Sequence, residues 1–457
     1  MMNFLFGYTL FRHVRALQFF FALAILTLSS AYAAIPIQSW TTPNGAKVLL
    51  VENHSIPVVD VSVEFDAGSR RDPTDKAGLA SMANMMLARG IAASSGVGGD
   101  EPALSEAQVL DAFADTAAQR GGSVSLDRAG VTLRSLSSQA ESDAAILLFA
   151  RMLAQPSFPA DFLARDKARA IAAIKEELTK PDAIASRAFM HALYGGNPYS
   201  MQPTPESVEP ITRDDVVAFY RKHYVADRAV IAIVGDVSRE RAEAIASQLT
   251  LRMAASGKAA ALPPMPEVLV AGKSEQRIAH PASQSHILIG MPAAVRGDPD
   301  FFALMVGNYV LGGGGFVSRL MQEVREKRGL SYGVYSSFSP LLQPGPFRIG
   351  LQTQKAQTAE AIAVVRGTVA DFLHSGPSKT EMKAAKDYLV QGFALRIDTN
   401  SKILDQVAMI GYYNLPLDYL DTWTSRISQV TREDVLSAFN RKIKAGNLIT
   451  VVVGSPD

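Results

Sequence analysis

The sequence predicts an α+β protein in which one unit is used twice, each copy a mainly antiparallel sheet with helices packed on one side. Three observations carry this. Ile211-Thr212-Arg213-Asp214-Asp215-Val216-Val217 recurs as Val430-Thr431-Arg432-Glu433-Asp434-Val435-Leu436. Each copy then runs into a β-branched strand closing on glycine, Ala229–Gly235 and Leu448–Gly454, so threonine and glycine repeat at one constant offset. A fixed period over such a stretch marks a duplicated structural unit. The helices also come in groups instead of alternating one by one with strands, which excludes a βαβ-built parallel sheet.

The elements follow in the same order in both copies. In the first, a strand over Val59–Phe65 leads to Asp72-Pro73 and an apolar helix over Gly78–Leu87. In the second, a strand over His286–Ile289 leads to Asp298-Pro299 and a helix over Phe301–Leu311, with Asn84 and Asn308 at corresponding places. Amphipathic helices are expected over Ala140–Ala154 and Asp161–Thr179. Thr212 and Thr431 suit N-caps, with Asp215 and Asp434 three residues on completing a capping box. The repeated motif is therefore read as structural. Ala254–Pro266, rich in Ala, Gly, Ser and Pro, is the seam between the copies, and Ala92–Pro102 reads as an exposed excursion. The resulting division is a leader at 1–33, a first domain at 34–253, a linker at 254–275 and a second domain at 276–457.

With 457 residues, 48% of them hydrophobic, the chain can bury large cores and is no disordered segment. A formal charge of +1 supplies no field for nucleic acid. Arg12, His13 and Arg15 precede the apolar run Ala16–Leu28 and then Ala31-Tyr32-Ala33, the pattern of an export signal and its cleavage site. The run is short for a membrane span of ~20 residues, and no second stretch is long enough. The mature chain is expected in the periplasm or the medium, with no stable membrane span. The absence of cysteine excludes disulfides and thiolate metal sites.

The second copy contains Leu311-Gly312-Gly313-Gly314-Gly315-Phe316-Val317-Ser318-Arg319-Leu320, continuing to Arg325, Gly329-Leu330 and Tyr332. The glycines permit close backbone approach but lack the Gly-Lys-Ser/Thr of a phosphate loop. Arg325 offers a fixed fork of donors and Tyr332 a phenolic hydroxyl, both suited to a peptide carbonyl or oxyanion. The pattern alone also allows Arg325 on a charged helix face with Glu323, Glu326, Lys327 and Arg328, and Tyr332 in the core.

This stretch resembles the C-terminal signature of the insulinase/pitrilysin (inverzincin, M16) peptidases, which include the mitochondrial processing peptidases. There a glycine-rich turn precedes Ser-Arg-Leu, then an arginine and a tyrosine seven apart with Gly-Leu between. The resemblance extends over nearly the whole mature chain. It implies substrate contact through Arg325 and Tyr332, beside the turn of Gly313, Gly314 and Gly315. The family's zinc motif, His-x-x-Glu-His, would lie on the first apolar helix, where two histidines four apart share a face and the glutamate takes a proton from the bound water. Here those positions hold Ser81, Asn84 and Met85, none of which does that chemistry. The third ligand would fall at Ala173, with Glu176 and Glu177 nearby. The seven histidines, including His54 in a turn and His191 in a helix, form no other ligand pair, and no Gly-x-Ser-x-Gly elbow occurs.

The resemblance thus implies a subunit inactive alone, with no cofactor of its own, working as a heterodimer with a zinc-bearing chain of the same family on peptide substrates. Two other readings remain open at this point: a structural protein like the core subunits of the cytochrome bc complex, and a hydrolase with relocated ligands.

Overall fold

The computed structural model describes residues 35–95, 100–254, 264, 266–268, 272 and 274–454. The leader at 1–33, the tip of the Ala92–Pro102 excursion and most of the seam lie outside the described residues. The first copy contributes β1 (Gln38–Thr41), β2 (Lys47–Glu52), β3 (Val58–Phe65), α1 (Leu79–Met86), α2 (Glu106–Asp115), β4 (Gln119–Val124), β5 (Ala129–Leu136), α3 (Gln139–Ala154), α4 (Ala160–Glu177), α5 (Pro181–Tyr194), α6 (Arg213–His223), β6 (Val230–Gly235) and α7 (Arg239–Leu251). The second contributes β7 (Glu275–Ile278), β8 (Gln284–Ala294), α8 (Phe301–Asn308), β9 (Val334–Phe338), β10 (Gly345–Gln354), α9 (Thr358–Ser375), α10 (Lys379–Gln391), α11 (Asn400–Tyr412), α12 (Tyr419–Gln429), α13 (Arg432–Lys442) and β11 (Ile449–Val453).

Two large sheets result, in the orders β1-β2-β6-β3-β5-β4 and β9-β10-β8-β11-β7, beside a two-stranded pair of Gly90–Ile91 with Leu104–Ser105. All neighbours are antiparallel except β2 with β6 and β7 with β11. The duplication extends to side chains. Thr212 and Thr431 each accept from the amide three residues on, while Asp215 and Asp434 accept from the threonine amides at 2.9 Å. Arg213 Nε donates to the Phe158 carbonyl and Arg432 Nε to that of Pro377, both at 2.8 Å. Gly235 and Gly454 both have positive φ, and a Cβ on either would lie within 2.5 Å of a carbonyl in the neighbouring strand. The closing glycine is thus a steric requirement.

Each sheet has its own helices on one face, as the periodicity predicts, but a helix from the other copy covers the second face. In the first sheet Val48, Leu50, Val61, Val63, Ile231 and Ile233 pack with α1, α3 and α7 in one core. The alternate residues face α11, which crosses β6, β3 and β2. Gly411 sits so close there that a Cβ would lie 2.5 Å from Leu49 and 2.6 Å from Val230. Reciprocally, Ala185, Phe189 and Leu193 of α5 pack on Ile449, Val451 and Val453. Each buried Leu, Ile or Phe in such a contact contributes on the order of 2 kcal/mol, so the exchange holds the copies together. Val268, at the end of the seam, is buried in the same cluster.

A buried polar cluster lies between the exchanged helices. Asp127, fully buried in the turn between β4 and β5, accepts from Tyr199 (2.5 Å), Tyr413 (2.9 Å) and the Leu342 amide (3.0 Å), with Arg70 Nε 3.4 Å away. Its carbonyl accepts from Tyr412 at 2.7 Å. Asp127→Ala is expected to lower stability by about 3 kcal/mol, because Arg70 and two tyrosines lose their acceptor in a dry site. Thr431→Ala, which removes one cap, should cost about 1 kcal/mol. Urea unfolding midpoints measure both, and equal losses would refute the special position of Asp127.

Candidate functional site

The helix expected to reach Leu311 leaves α geometry after Asn308 and widens into a π turn over Tyr309–Gly313. The glycines explain why. A Cβ would lie 2.5 Å from Ser336 Oγ at Gly312, 2.6 Å from Asn308 Nδ2 at Gly313 and 2.6 Å from the Tyr309 carbonyl at Gly314. Gly315 has φ +61° and open space around it. A second π turn, Met321–Glu326, carries Arg325. Such widened turns recur at functional sites.

Arg325 lies with its guanidinium carbon 4.6 Å from the Phe316 ring centroid and 4.7 Å from that of Tyr332. Each contact contributes about 0.5–1 kcal/mol at an exposed position, and together they orient the fork. Arg325 Nε is also 3.6 Å from Glu326. Lys327 and Arg328 instead both bind Glu323, so Arg325 is separate from that exposed charge network. Tyr332 is no core residue. It is 85% exposed, because the Ser331 hydroxyl ties off a turn against Gly333 and only Val334 enters the core.

Tyr332 also lines a cleft of about 600 Å³ between α5 and the second sheet, with Asp182, His286, Tyr335 and Arg348. Burial pulls the His286 pKa down, with Asp182 opposing. The Arg348 side chain has no hydrogen bond or ion pair among the described residues. Phe316, Tyr335 and Arg348 were not singled out from the sequence. Alternation along β10, with Phe347, Ile349 and Leu351 buried, was the available signal for Arg348.

The residues expected at the family's zinc positions lie on α1, beside the outer strand β4 of the first sheet. Ser81, Asn84 and Met85 border a cleft of about 380 Å³ between α1 and β4. Asn84 Nδ2 donates to the Gly130 carbonyl and to Tyr224 Oη, both at 3.2 Å, so the amide ties α1 to the sheet. Burial pushes the Tyr224 pKa up and keeps the phenol neutral. Met85 packs against the core, Ala173 is exposed on α4, and Glu176 is engaged by Lys180 at 2.9 Å. Serine, amide and thioether do not fit zinc. Among the described residues no three His, Asp or Glu side chains converge as a metal site. His54 is bound to Asp236 at 2.7 Å on the surface.

Comparison with known proteins decides the family. The crystal structure of a peptidase M16 inactive domain from Pseudomonas fluorescens is 36% identical, with a TM-score of 0.85 over 92% of this chain and 98% of that one. The chain belongs to the peptidase M16 family. Residues 210–389 match the model of the peptidase M16 inactive domain. The non-peptidase homolog YmxG of Helicobacter pylori is 26% identical over 424 residues, 90% of this chain and 93% of that protein. The periplasmic protease PqqL of Escherichia coli shares the fold at 16% identity, with a TM-score of 0.76 over 93% of this chain and 46% of PqqL. Within the M16 family the chain is thus similar to the inactive domain and to a non-peptidase homologue. Among the described residues no helix is long and apolar enough to cross a membrane.

Tyr332→Ala is expected to cost no more than about 1 kcal/mol, the worth of its contact with Arg325. A drop in the urea midpoint corresponding to more than about 2 kcal/mol, the scale of a buried aromatic, would return Tyr332 to a packing role. Elemental analysis of the chain purified from zinc-containing medium should find zinc well below one ion per molecule, and a stoichiometric value would point to ligands outside the Ser81–Met85 helix.

Proposed function

We propose that this M16 chain is an exported, non-catalytic subunit that completes a two-chain zinc peptidase. It forms half of the chamber and contacts peptide substrate through Arg325 and Tyr332. The partner is a zinc-bearing chain of the same family, and the complex is a heterodimer. One observation carries the reading. Arg325 is held on the Phe316 ring and on the exposed phenol of Tyr332, in a chain whose helix α1 carries Ser81, Asn84 and Met85 in place of zinc ligands. A partly exposed stacked guanidinium and an exposed hydroxyl gain little for the fold. They are preorganised donors for a carbonyl on which negative charge develops. The partner supplies the metal-bound water, and this chain supplies orientation and charge stabilisation. Export rests on the leader, with Arg12 and Arg15 ahead of the apolar run and Ala31-Tyr32-Ala33 behind it.

The test is to co-express the chain with a zinc-motif homologue from the same genome and follow cleavage of a quenched peptide. Cleavage should require both chains. Arg325→Ala should lower kcat/KM about a hundredfold while the complex stays assembled and its zinc content is unchanged. A complex with full activity in Arg325→Ala and Tyr332→Phe would leave a structural role like that of the cytochrome bc core subunits. N-terminal sequencing of the chain from a periplasmic fraction should begin at Ala34, and an intact Met1 would remove the export claim.

A further inference from the structure

The cleft between α1 and β4 holds an arginine that, among the described residues, has no ion pair. Arg120, Gly122 and Val124 share one face of β4 by strand alternation. That face looks onto α1, since a Cβ on Gly122 would lie 2.7 Å from Asn84 Oδ1. Arg120 thereby lines the cleft with Ser81, Asn84, Met85 and Arg89. Its guanidinium carbon lies 5.9 Å from the Phe113 ring centroid. It has no hydrogen bond or ion pair among the described residues, and its Nε is wholly buried without a partner.

The neighbouring acids are already committed. Glu106 accepts from Arg89 (2.5 Å) and from both terminal nitrogens of Arg165 (3.1 Å). Buried Asp166 accepts from Arg89 (2.7 Å) and Arg165 (3.0 Å). Arg169 adds a third, exposed cation 3.7 Å from Asp166. Four arginines therefore meet two carboxylates, and Arg120 is the one left without an ion pair. Burial first, and then the like charge of Arg89, push the Arg120 pKa down, with Glu106 opposing. A half-buried cation beside another cation is a costly arrangement, and an arriving anion relieves it.

We propose that the cleft between α1 and β4 is a carboxylate site, in which Arg120 receives an acidic group of a bound peptide. One uncompensated charge matches a monoanion, and the planar fork matches a carboxylate bidentately. A space of about 380 Å³ takes a side chain or a chain end, not a folded domain. The cleft opens along Gly121, Gly122 and Ser123, exposed on the outer strand of the first sheet, whose free backbone groups suit another extended chain. The carboxylate is a peptide C-terminus or an Asp/Glu side chain. This inference does not draw on the partner-subunit reading, because the site lies wholly within this chain.

The test uses the purified full chain and a short fluorescent peptide in three forms: free C-terminal acid with neutral side chains, the same peptide amidated, and the amidated peptide with one internal Glu. Anisotropy titration should show at least one acid-bearing form binding about tenfold tighter than the neutral amide. The form that does so identifies the source of the carboxylate. Arg120→Gln should bring all three to the affinity of the neutral form. Equal binding of the three peptides by the native chain overturns the proposal, and so does a preference that survives Arg120→Gln. Should Arg120→Gln fail to fold by circular dichroism, Ser81→Asp decides. That change sets a carboxylate in the same cleft at an exposed, first-turn helix position that tolerates acids. Loss of acid preference in Ser81→Asp supports the site, and retention refutes it.

Discussion

The reciprocal helix exchange is the constraint on which the rest of the molecule depends, and Asp127 lies at its centre. Each sheet is apolar on both faces, but each copy has helices of its own for only one of them. The second face of the first sheet is closed by α11, and that of the second sheet by α5. Between these covers, Asp127 collects hydrogen bonds from Tyr199 of the first copy and Tyr413 of the second, with the Leu342 amide adding a third. A buried carboxylate without that full set of partners would be strongly unfavourable. The cluster therefore favours one arrangement of the two copies over others that would bury similar apolar area.

The exchange leaves β4 and β9 as outer strands, and both chemically distinctive regions lie at these strands. Beside β9 are Tyr332, Tyr335 and the aromatic-held Arg325. Beside β4 are Arg120, Ser81, Asn84 and Met85. Duplication thus places arginines at equivalent edges of two related sheets, with different chemistry at each. At the second, Arg325 is oriented by two rings and partly exposed, and Arg348 lines the cleft. At the first, Arg120 is half-buried and has no ion pair among the described residues.

The helix α1 is tied to its sheet by a side-chain amide. Asn84 bonds the sheet carbonyl of Gly130 as Asn308 bonds that of Ser336 at 3.0 Å in the second copy. An amide at this position is therefore a shared packing device of both copies. The ionic cluster of Arg89, Arg165, Glu106 and Asp166 holds the same corner together through partly buried pairs.

Much of this was legible in the chain. The repeat at constant offset gave the duplication, the capping boxes and the closing strands, because each depends on contacts only a few residues apart or on steric needs of a single glycine. Ser81, Asn84 and Met85 were readable from the chain as poor zinc ligands, since ligand chemistry belongs to the side chain wherever it lies. Tertiary structure alone decided that Tyr332 faces solvent, that Phe316 and Tyr332 hold Arg325, and that Arg120 has no partner. Tyr332 reads equally as core or surface until the Ser331–Gly333 turn is seen. Arg120 looks like any strand arginine until Glu106 and Asp166 are found engaged by Arg89 and Arg165. Exposure and charge pairing depend on which distant segments arrive, and no local pattern records that. The cover of each sheet by a helix from the other copy is the largest instance, because α5 and α11 have the same amphipathic pattern whichever sheet they bury.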